Sequence, residues 1–212
     1  MRFIFPVVLM LLQSHVPLID LVAEPSRRTE SPGSITSSGG GVIEGQQPPK
    51  PIPPLSLKLE SISPSTTQPE VRIVEILITN ISGTPYSLPV GRDGNAAMKP
   101  GNRGRREIGF WLRAPRRPDN LLGTLGGSIA YGSEDTNGSF LTLPPGGSAR
   151  VRFPLNLKIS REIYKLKQAG FTSVSVHAAL TDAWMDDSRI DTDFISREVR
   201  VSSENTQTLP IQ

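Results

Sequence analysis

Between residues 55 and 202, hydrophobic residues alternate with polar ones in short runs, the period of a β-strand with one buried face. Leu55, Leu57 and Leu59 alternate with polar neighbours, and the longer apolar run at residues 71–79 is typical of a central strand. Turn-forming Gly, Pro, Asn and Ser separate the runs. The pattern predicts strands near residues 55–60, 71–79, 86–90, 107–114, 139–143, 149–157, 171–180 and 195–201.

One segment has a helical pattern. Ser160 is a good N-cap, Ile163 and Leu166 fall on one side of the turns that follow, and Gly170 suits a left-handed helix end. The predicted helix is short and covers residues 160–169. About seven or eight strands with tight turns and one short helix predict an all-β fold, an antiparallel β-sandwich.

The ends of the chain differ from this central domain. Arg2 precedes a ten-residue apolar run at residues 3–12, the length of a signal-peptide core and about half of a membrane-spanning helix. We therefore expect residues 1–23 to be a signal peptide, with an uncleaved anchor or a buried terminal segment as alternatives. Residues 24–54 are rich in Ser, Gly and Pro and predict a linker. The β-sandwich is expected at residues 55–202 and a flexible tail at residues 203–212.

Composition narrows the possible chemistry. The chain of 212 residues has no Cys, which excludes disulfides, thiolate metal sites and a Cys nucleophile. Its net charge of +3 is too small to indicate nucleic-acid binding, so nucleic acid is disfavoured as a partner. The predicted leader places the protein outside the cytoplasm, in the periplasm, at the cell surface or in the medium.

The most polarised stretch of the chain is basic. Residues 92–117 carry a net local charge of +6, and part of this charge falls in a Gly-rich loop. Guanidinium groups pair bidentately with carboxylate, sulfate or phosphate oxygens, and an indole ring can stack on a sugar. The alternative is a solvated loop that only raises the isoelectric point. The candidate site for an anionic partner consists of Arg103, Arg105, Arg106, Trp111, Arg116 and Arg117.

A second polarised stretch is acidic and follows residue 181. Clustered carboxylates can bind Ca²⁺, which makes a weak candidate loop of Asp186, Asp187, Asp191 and Asp193. The spacing fails the EF-hand pattern, because Ile195 stands where a further ligand should follow, so a polar hairpin loop is the favoured interpretation. Attraction between this stretch, which also includes Asp182, and the basic loop would make both features structural. No cofactor is expected.

Catalytic patterns are incomplete. His177 falls on the polar side of its strand, away from Val174 and Val176. The stretch around Ser128 is similar to a nucleophile elbow, but its last Gly is replaced by Ala130 and no helix follows. Asn80 lies in an N-glycosylation pattern and is more simply a turn former. The sequence favours a non-catalytic protein, and a small hydrolase using Ser128 or the acidic loop stays an alternative.

Three segments together resemble bacterial immunoglobulin-like modules of exported and cell-surface proteins: the strand that leads into residues 80–83, the turn at residues 143–151, and residues 169–176. The resemblance implies an immunoglobulin-like sandwich and an exported location. This chain departs from antibody-type domains, which have a Cys pair with a Trp between them, and residues 91–137 have no counterpart. The resemblance implies no activity, because one sandwich fold hosts many functions.

Taken together, these patterns predict an exported, non-catalytic module that contacts a protein or an anionic polysaccharide of the cell envelope through its loops. The alternative is a structural or assembly subunit that pairs with a partner chain through an edge strand.

Overall fold

The described part of the chain folds as two main β-sheets packed face to face, with a separate two-stranded pair and one short helix. The structure, a computed structural model, describes residues 16–22, 53–91, 105–114, 123–133, 140–186 and 194–211. Within these residues the elements are β1 (Leu18–Asp20), β2 (Leu55–Pro64), β3 (Val71–Asn80), β4 (Tyr86–Pro89), β5 (Arg105–Arg113), β6 (Thr124–Ser133), β7 (Phe140–Leu143), β8 (Ser148–Asn156), α1 (Arg161–Gln168), β9 (Ser173–Asp186), β10 (Phe194–Ser202) and β11 (Gln207–Pro210). The predicted all-β sandwich with one helix is confirmed.

The first sheet has the strand order β1-β8-β3-β2, in which β1 is parallel to β8 and the other pairs are antiparallel. The second sheet has the order β10-β9-β5-β6, and β11 pairs with the same edge of β9 beyond the end of β10. Strands β4 and β7 form a separate antiparallel pair. The two central strands of the second sheet, β5 and β9, carry the side chains of the candidate site.

The core lies between the two sheets. Alternate side chains of β5 and β8 point inward, and the rings of Phe110 and Phe153 stack across the interface with centroids 6.4 Å apart. Ile108, Leu112 and Val151 around them have no exposed surface. Each such side chain contributes about 1.5–3 kcal/mol relative to an exposed one. The two-residue hydrophobic period in the sequence therefore corresponds to the buried face of these strands.

The helix has the predicted caps. The Ser160 hydroxyl accepts a hydrogen bond from the Ile163 amide, and Ile163 and Leu166 are buried against the sandwich. Gly170 follows with φ of +81°, a left-handed conformation that closes the helix end. Among the described residues, no helix has the length and apolar content required to cross a membrane.

Three strands were not predicted, so the described residues hold eleven strands rather than seven or eight. Strand β6 carries Gly126 and Gly127 in its interior, and Gly is disfavoured in strands. Strands β1 and β11 are short and lie outside the expected domain boundaries of 55 and 202. Strand β9 also continues six residues beyond the predicted end at residue 180.

The expected flexible tail at residues 203–212 is wrong for its described part. Strand β11 pairs with β9, from Gln207 opposite Val176 to Pro210 opposite Ser173. Leu209 and Ile211 are fully buried in the core. Burial of these two side chains offsets the entropy cost of ordering the chain end.

The C-terminal segment also covers an edge of the first sheet. Strand β2 has a bulge between Leu59 and Ser61, which interrupts its pairing with β3. The Asn205 side chain accepts a hydrogen bond from the Leu59 amide at 2.9 Å and donates one to the Leu59 carbonyl at 2.7 Å. The Gln207 amide donates to the carbonyls of Leu59 and Glu60. These side chains take the place of a neighbouring strand at this edge.

Asn80 joins two turns at one end of the first sheet. Its fully buried side chain donates hydrogen bonds to the carbonyls of Thr84 and Leu143 and accepts two from Ser82. Its backbone carbonyl accepts a hydrogen bond from the amide of Gly146, which has φ of +74°. The interpretation of Asn80 as a turn former rather than an acceptor for glycans is therefore the one that fits the structure.

The predicted leader overlaps the folded domain. Residues 18–20, which belong to the expected signal peptide at 1–23, form β1, and Ile19 and Leu21 are buried at 5% and 1% exposure. This arrangement corresponds to the buried terminal segment considered as an alternative for these residues. Residues 1–15 and 23–52, which contain the apolar run and most of the expected linker, lie outside the described residues.

Candidate functional site

Strands β5 and β9 carry unusual side chains on both faces of the second sheet. On the inner face, Arg106 and Asp182 continue the alternation of buried residues toward one end of the sandwich. On the outer face, Trp111 lies near the other end of β5, with Arg113 and His177.

The inner group is a buried ion pair enclosed by two aromatic rings. Arg106 donates from Nε to Oδ1 of Asp182 at 2.8 Å and from Nη2 to Oδ2 at 2.5 Å, a bidentate geometry. The hydroxyl of Tyr86 donates to Oδ2 of Asp182 at 2.7 Å. The guanidinium carbon lies 4.2 Å from the centroid of the Trp184 ring and 5.1 Å from that of Tyr86.

Burial and charge shift the pKa values of this group in consistent directions. Burial and the negative charge of Asp182 raise the pKa of the Tyr86 hydroxyl far above its usual value, so the phenol stays protonated and donates. Burial opposes the charge of Arg106, but the hydrogen bonds and charge of Asp182 outweigh it and raise the pKa of the guanidinium. Asp182 is fully buried and the Arg106 side chain is 12% exposed, so the pair is inaccessible to a large external ligand.

The inner group corrects one prediction and supports another. Arg106 was expected to bind an external anion, but its Nε and Nη2 are occupied by Asp182. The predicted attraction between the basic and acidic stretches is confirmed for this pair, and it makes both residues structural. Removal of one partner would leave an unpaired charge in the core.

The outer group centres on Trp111. The indole lies across two glycines, because a Cβ at Gly109 would be 2.6 Å from Nε1 of Trp111 and one at Gly127 would be 2.5 Å from Cε3. Gly127 and Ala179 are the residues directly opposite Trp111 on β6 and β9. Small residues thus allow the ring to lie against the sheet, while part of its surface stays exposed.

Arg113 and His177 share the outer face of the sheet with the indole. Arg113 follows Trp111 on the same face of β5, and His177 of β9 is directly opposite Arg113. Partial burial and the positive charge of Arg113 lower the pKa of His177 below its usual value of 6.5. Near neutral pH this end of the outer face therefore presents an aromatic ring, an arginine and a neutral imidazole, whereas Glu107 and Glu198 lie on the same face toward its other end.

The remaining residues of the predicted anion site lie before and after β5 in the sequence, or at its first residue. Arg103 precedes the strand and Arg116 and Arg117 follow it, and all three lie outside the described residues. The backbone of Arg105 opens β5, opposite Ser133 and Met185. A nine-residue strand is roughly 30 Å long, so the segments that carry these arginines begin at two separate ends of the sheet.

The calcium prediction is not tested. Asp186 is the last residue of β9, and Asp187, Asp191 and Asp193 lie outside the described residues. Where the chain is described, no three or more His, Asp or Glu side chains are grouped closely enough to hold a metal ion.

The geometry separates the residues considered for hydrolysis. Ser128 is directly opposite Phe110, whose ring is in the core, whereas His177 is opposite Arg113 on the outer face. Ser128 and His177 therefore lie on opposite faces of one sheet and cannot form a hydrogen-bonded nucleophile and base.

Sequence reasoning missed Tyr86 and Trp184 as members of the inner group. Alternation could have placed Asp182 and Trp184 on the core face, because both continue the inward positions Val174 to Leu180 of β9. The position of Tyr86 next to them follows from the packing of the separate β4-β7 pair on the second sheet. No local pattern indicates that contact.

Comparisons with known proteins find only distant structural likeness. No protein-family model and no curated protein sequence matches the chain. A late embryogenesis abundant (LEA) protein studied in solution is 14% identical, with 75% of this chain and 73% of that chain covered and a TM-score of 0.30. A protein from Arabidopsis thaliana is 13% identical, with 73% and 77% covered and a TM-score of 0.30. A β-glucosidase from Kluyveromyces marxianus in complex with glucose is 11% identical, with 74% and 15% covered and a TM-score of 0.26. At these values the likenesses assign neither a family nor a function to the chain.

Proposed function

We propose that this chain is a non-catalytic, exported binding module that takes an anionic polysaccharide on the outer face of its second sheet. The observation that carries the proposal is the position of Trp111. Its partly exposed indole packs against the backbone at Gly109 and Gly127, where a Cβ would clash with the ring. A flat aromatic ring on a rigid sheet packs against the C–H face of a sugar ring without losing side-chain freedom on binding.

Positive charge near the ring favours an acidic sugar over a neutral one. Arg113 is on the same face as Trp111 and adds positive charge there. Arg116 and Arg117 follow three and four residues later in the chain. The ligand class that fits is therefore a polymer of uronic acids or sulfated sugars.

The exported location rests on the sequence. The apolar run at residues 3–12 supports it, and a leader confined to the residues before Leu18 leaves β1 in the mature chain. The resemblance to immunoglobulin-like modules of cell-surface proteins supports it as well. An acidic polysaccharide of the cell envelope would be accessible to a protein in that location.

Affinity electrophoresis tests the proposed ligand class. The full chain is run through gels that contain polygalacturonate, heparin or neutral dextran. We expect the acidic polymers to retard the protein and dextran to leave its mobility unchanged. We expect Trp111→Ala to weaken binding about tenfold, or about 1.4 kcal/mol, since Trp is among the residues whose truncation costs most affinity at a binding surface.

Matched controls separate the site from general aromatic or charge effects. Tyr164→Ala removes an aromatic ring that is 60% exposed on α1, and Lys58→Ala removes one positive charge from an exposed side chain on β2, in the other sheet. Both should bind within about twofold of wild type, whereas Arg113→Ala should lose affinity as Trp111→Ala does. Equal losses in all four variants, or no retardation of wild type by either acidic polymer, would show the proposal to be wrong.

Recognition through the basic loop predicts a different result. Arg103→Ala/Arg105→Ala removes two arginines at the start of β5 and keeps Arg106, which is required for the buried ion pair. Binding through the Trp111 face predicts that this double variant retains most of its affinity. Loss of affinity in this variant alone would place the recognition surface at the loop.

A further inference from the structure

Strand β1 is the edge strand of the first sheet and pairs with β8. Its three residues run parallel to β8, with Leu18 opposite Arg150 and Ile19 opposite Val151. The amide of Leu21 donates to the Arg152 carbonyl at 2.8 Å, and the amide of Arg150 donates to the Pro17 carbonyl at 2.9 Å. The segment therefore extends the backbone ladder of the sheet by one strand.

Side chains make the position selective for this sequence. Ile19 and Leu21 are buried in the core, whereas Leu18, the residue before Ile19, is 48% exposed. Asp20 lies opposite Arg152 and forms an ion pair with it at 3.3 Å. A strand with two alternate apolar side chains and an acidic residue between them satisfies the position.

The chain between β1 and β2 is long relative to the distance it must cover. Strands β1 and β2 lie at opposite edges of a four-stranded sheet, about 14 Å apart at the usual spacing. The 30 residues from 23 to 52 have a maximum contour length of about 100 Å. The covalent connection thus allows β1 to reach β8 of another molecule.

We propose that the β8 edge is a strand-docking site that accepts segment Pro17–Val22 from a second copy of the chain as well as from its own chain. Both arrangements contain the same contacts, so only chain connectivity and protein concentration distinguish them. The composition of residues 24–54 predicts a tether that holds β1 near its own β8 at an effective concentration on the order of 1 mM. Exchange therefore increases as the protein concentration approaches that value, and it is independent of the polymer site.

The absence of Cys from the sequence allows a direct test by disulfide trapping. One full-length chain carries Leu18→Cys and another carries Arg150→Cys, at two exposed positions that are register partners. The two chains are refolded together at about 1 mM and at about 10 μM and then oxidised. We expect a disulfide between position 18 of one chain and position 150 of the other, identified by peptide mass, with a higher yield at the higher concentration.

Two controls make the result specific to docking. Leu21→Asp in the Leu18→Cys chain places a charge in the core position and should lower the yield at least about fivefold. Ile81→Asp, at a position that is 52% exposed, should leave it unchanged. The doubly substituted chain Leu18→Cys/Arg150→Cys reports closure within one molecule. A Lys58→Cys chain, substituted on β2 at the opposite edge of the sheet, gives the background yield of mixed dimer with the Leu18→Cys chain. The proposal would be overturned if the doubly substituted chain closed within one molecule while the Leu18→Cys and Arg150→Cys chains gave no more mixed dimer than that background.

Discussion

Arg106 on β5 and Asp182 on β9 form a bidentate ion pair within the core side of the second sheet. Arg106 lies directly opposite Trp184 and diagonally opposite Asp182, so the pair crosses between neighbouring strands. Tyr86 adds a hydrogen bond from the β4-β7 pair. One buried carboxylate thereby connects three strands.

Removal of one partner of this ion pair should be costly. Asp182→Leu leaves the Arg106 charge buried without compensation, and we expect the free energy of unfolding to fall by about 3–5 kcal/mol. Arg106→Met/Asp182→Leu removes both charges and should recover at least half of that loss. Urea denaturation of the full-length variants measures both changes.

An exposed ion pair provides the contrast. Arg150 and Glu60 also make a short hydrogen bond, at 2.7 Å, but their side chains are 42% and 23% exposed. Arg150→Met should cost much less stability than Asp182→Leu, since solvent screens such pairs. A loss in Arg150→Met as large as that in Asp182→Leu would contradict a special role for burial.

The buried polar side chain of Asn80 should also contribute strongly to the stability of the fold. Asn80→Ala leaves the buried Leu143 carbonyl without its side-chain amide donor and also removes a part-buried hydrogen bond to the Thr84 carbonyl, at a cost of about 2–3 kcal/mol. Asn156→Ala removes only one hydrogen bond, to the exposed Lys158 amide, and should cost less than about 1 kcal/mol. Thermal unfolding of the two variants compares them, and equal losses would argue against Asn80 as the connection between the turns.

The sandwich was predictable because its core strands follow a simple rule. In β8 every second side chain is buried, and the same alternation places Ile76 and Ile78 of β3 and Ile108, Phe110 and Leu112 of β5 in the core. Hydrophobicity reports that burial directly. The rule also explains one error, because Arg106 and Asp182 occupy inward positions although both are charged. Alternation alone would have placed them in the core, whereas their charge suggested exposed loops.

Strands whose stability depends on distant contacts were not predictable. Strand β6 needs glycine at residue 127, because a Cβ there would lie 2.0 Å from the Phe110 carbonyl oxygen and 2.5 Å from the Trp111 ring. The sequence of β6 shows the glycines but not the reason for them. Strands β1 and β11 are three and four residues long, too short for a periodic signal.

The C-terminal strand should contribute to stability in spite of its position. Leu209→Ala removes a fully buried side chain of β11, and we expect a loss of about 2–4 kcal/mol in the free energy of unfolding. Thr208→Ala changes the exposed neighbour and should stay within about 0.5 kcal/mol of wild type. Chemical denaturation distinguishes the two, and a Leu209→Ala variant as stable as wild type would mean that β11 is dispensable.

His177 predicts how stability depends on pH. Partial burial and the charge of Arg113 lower its pKa in the folded chain below the value of 6.5 expected after unfolding. Between these two pKa values the unfolded chain binds more protons than the folded one, so acidification favours unfolding.

The free energy of unfolding should therefore begin to fall as the pH drops through about 6.5, and the contribution of His177 should level off below its folded pKa. His177→Gln keeps a polar side chain that does not titrate, and it should lose less stability than wild type between about pH 7.5 and pH 5. Urea denaturation at the two pH values measures this difference, and an NMR titration of the imidazole measures the pKa itself. A folded pKa at or above 6.5, or the same acid sensitivity in both proteins, would contradict the role of Arg113 and burial at this face.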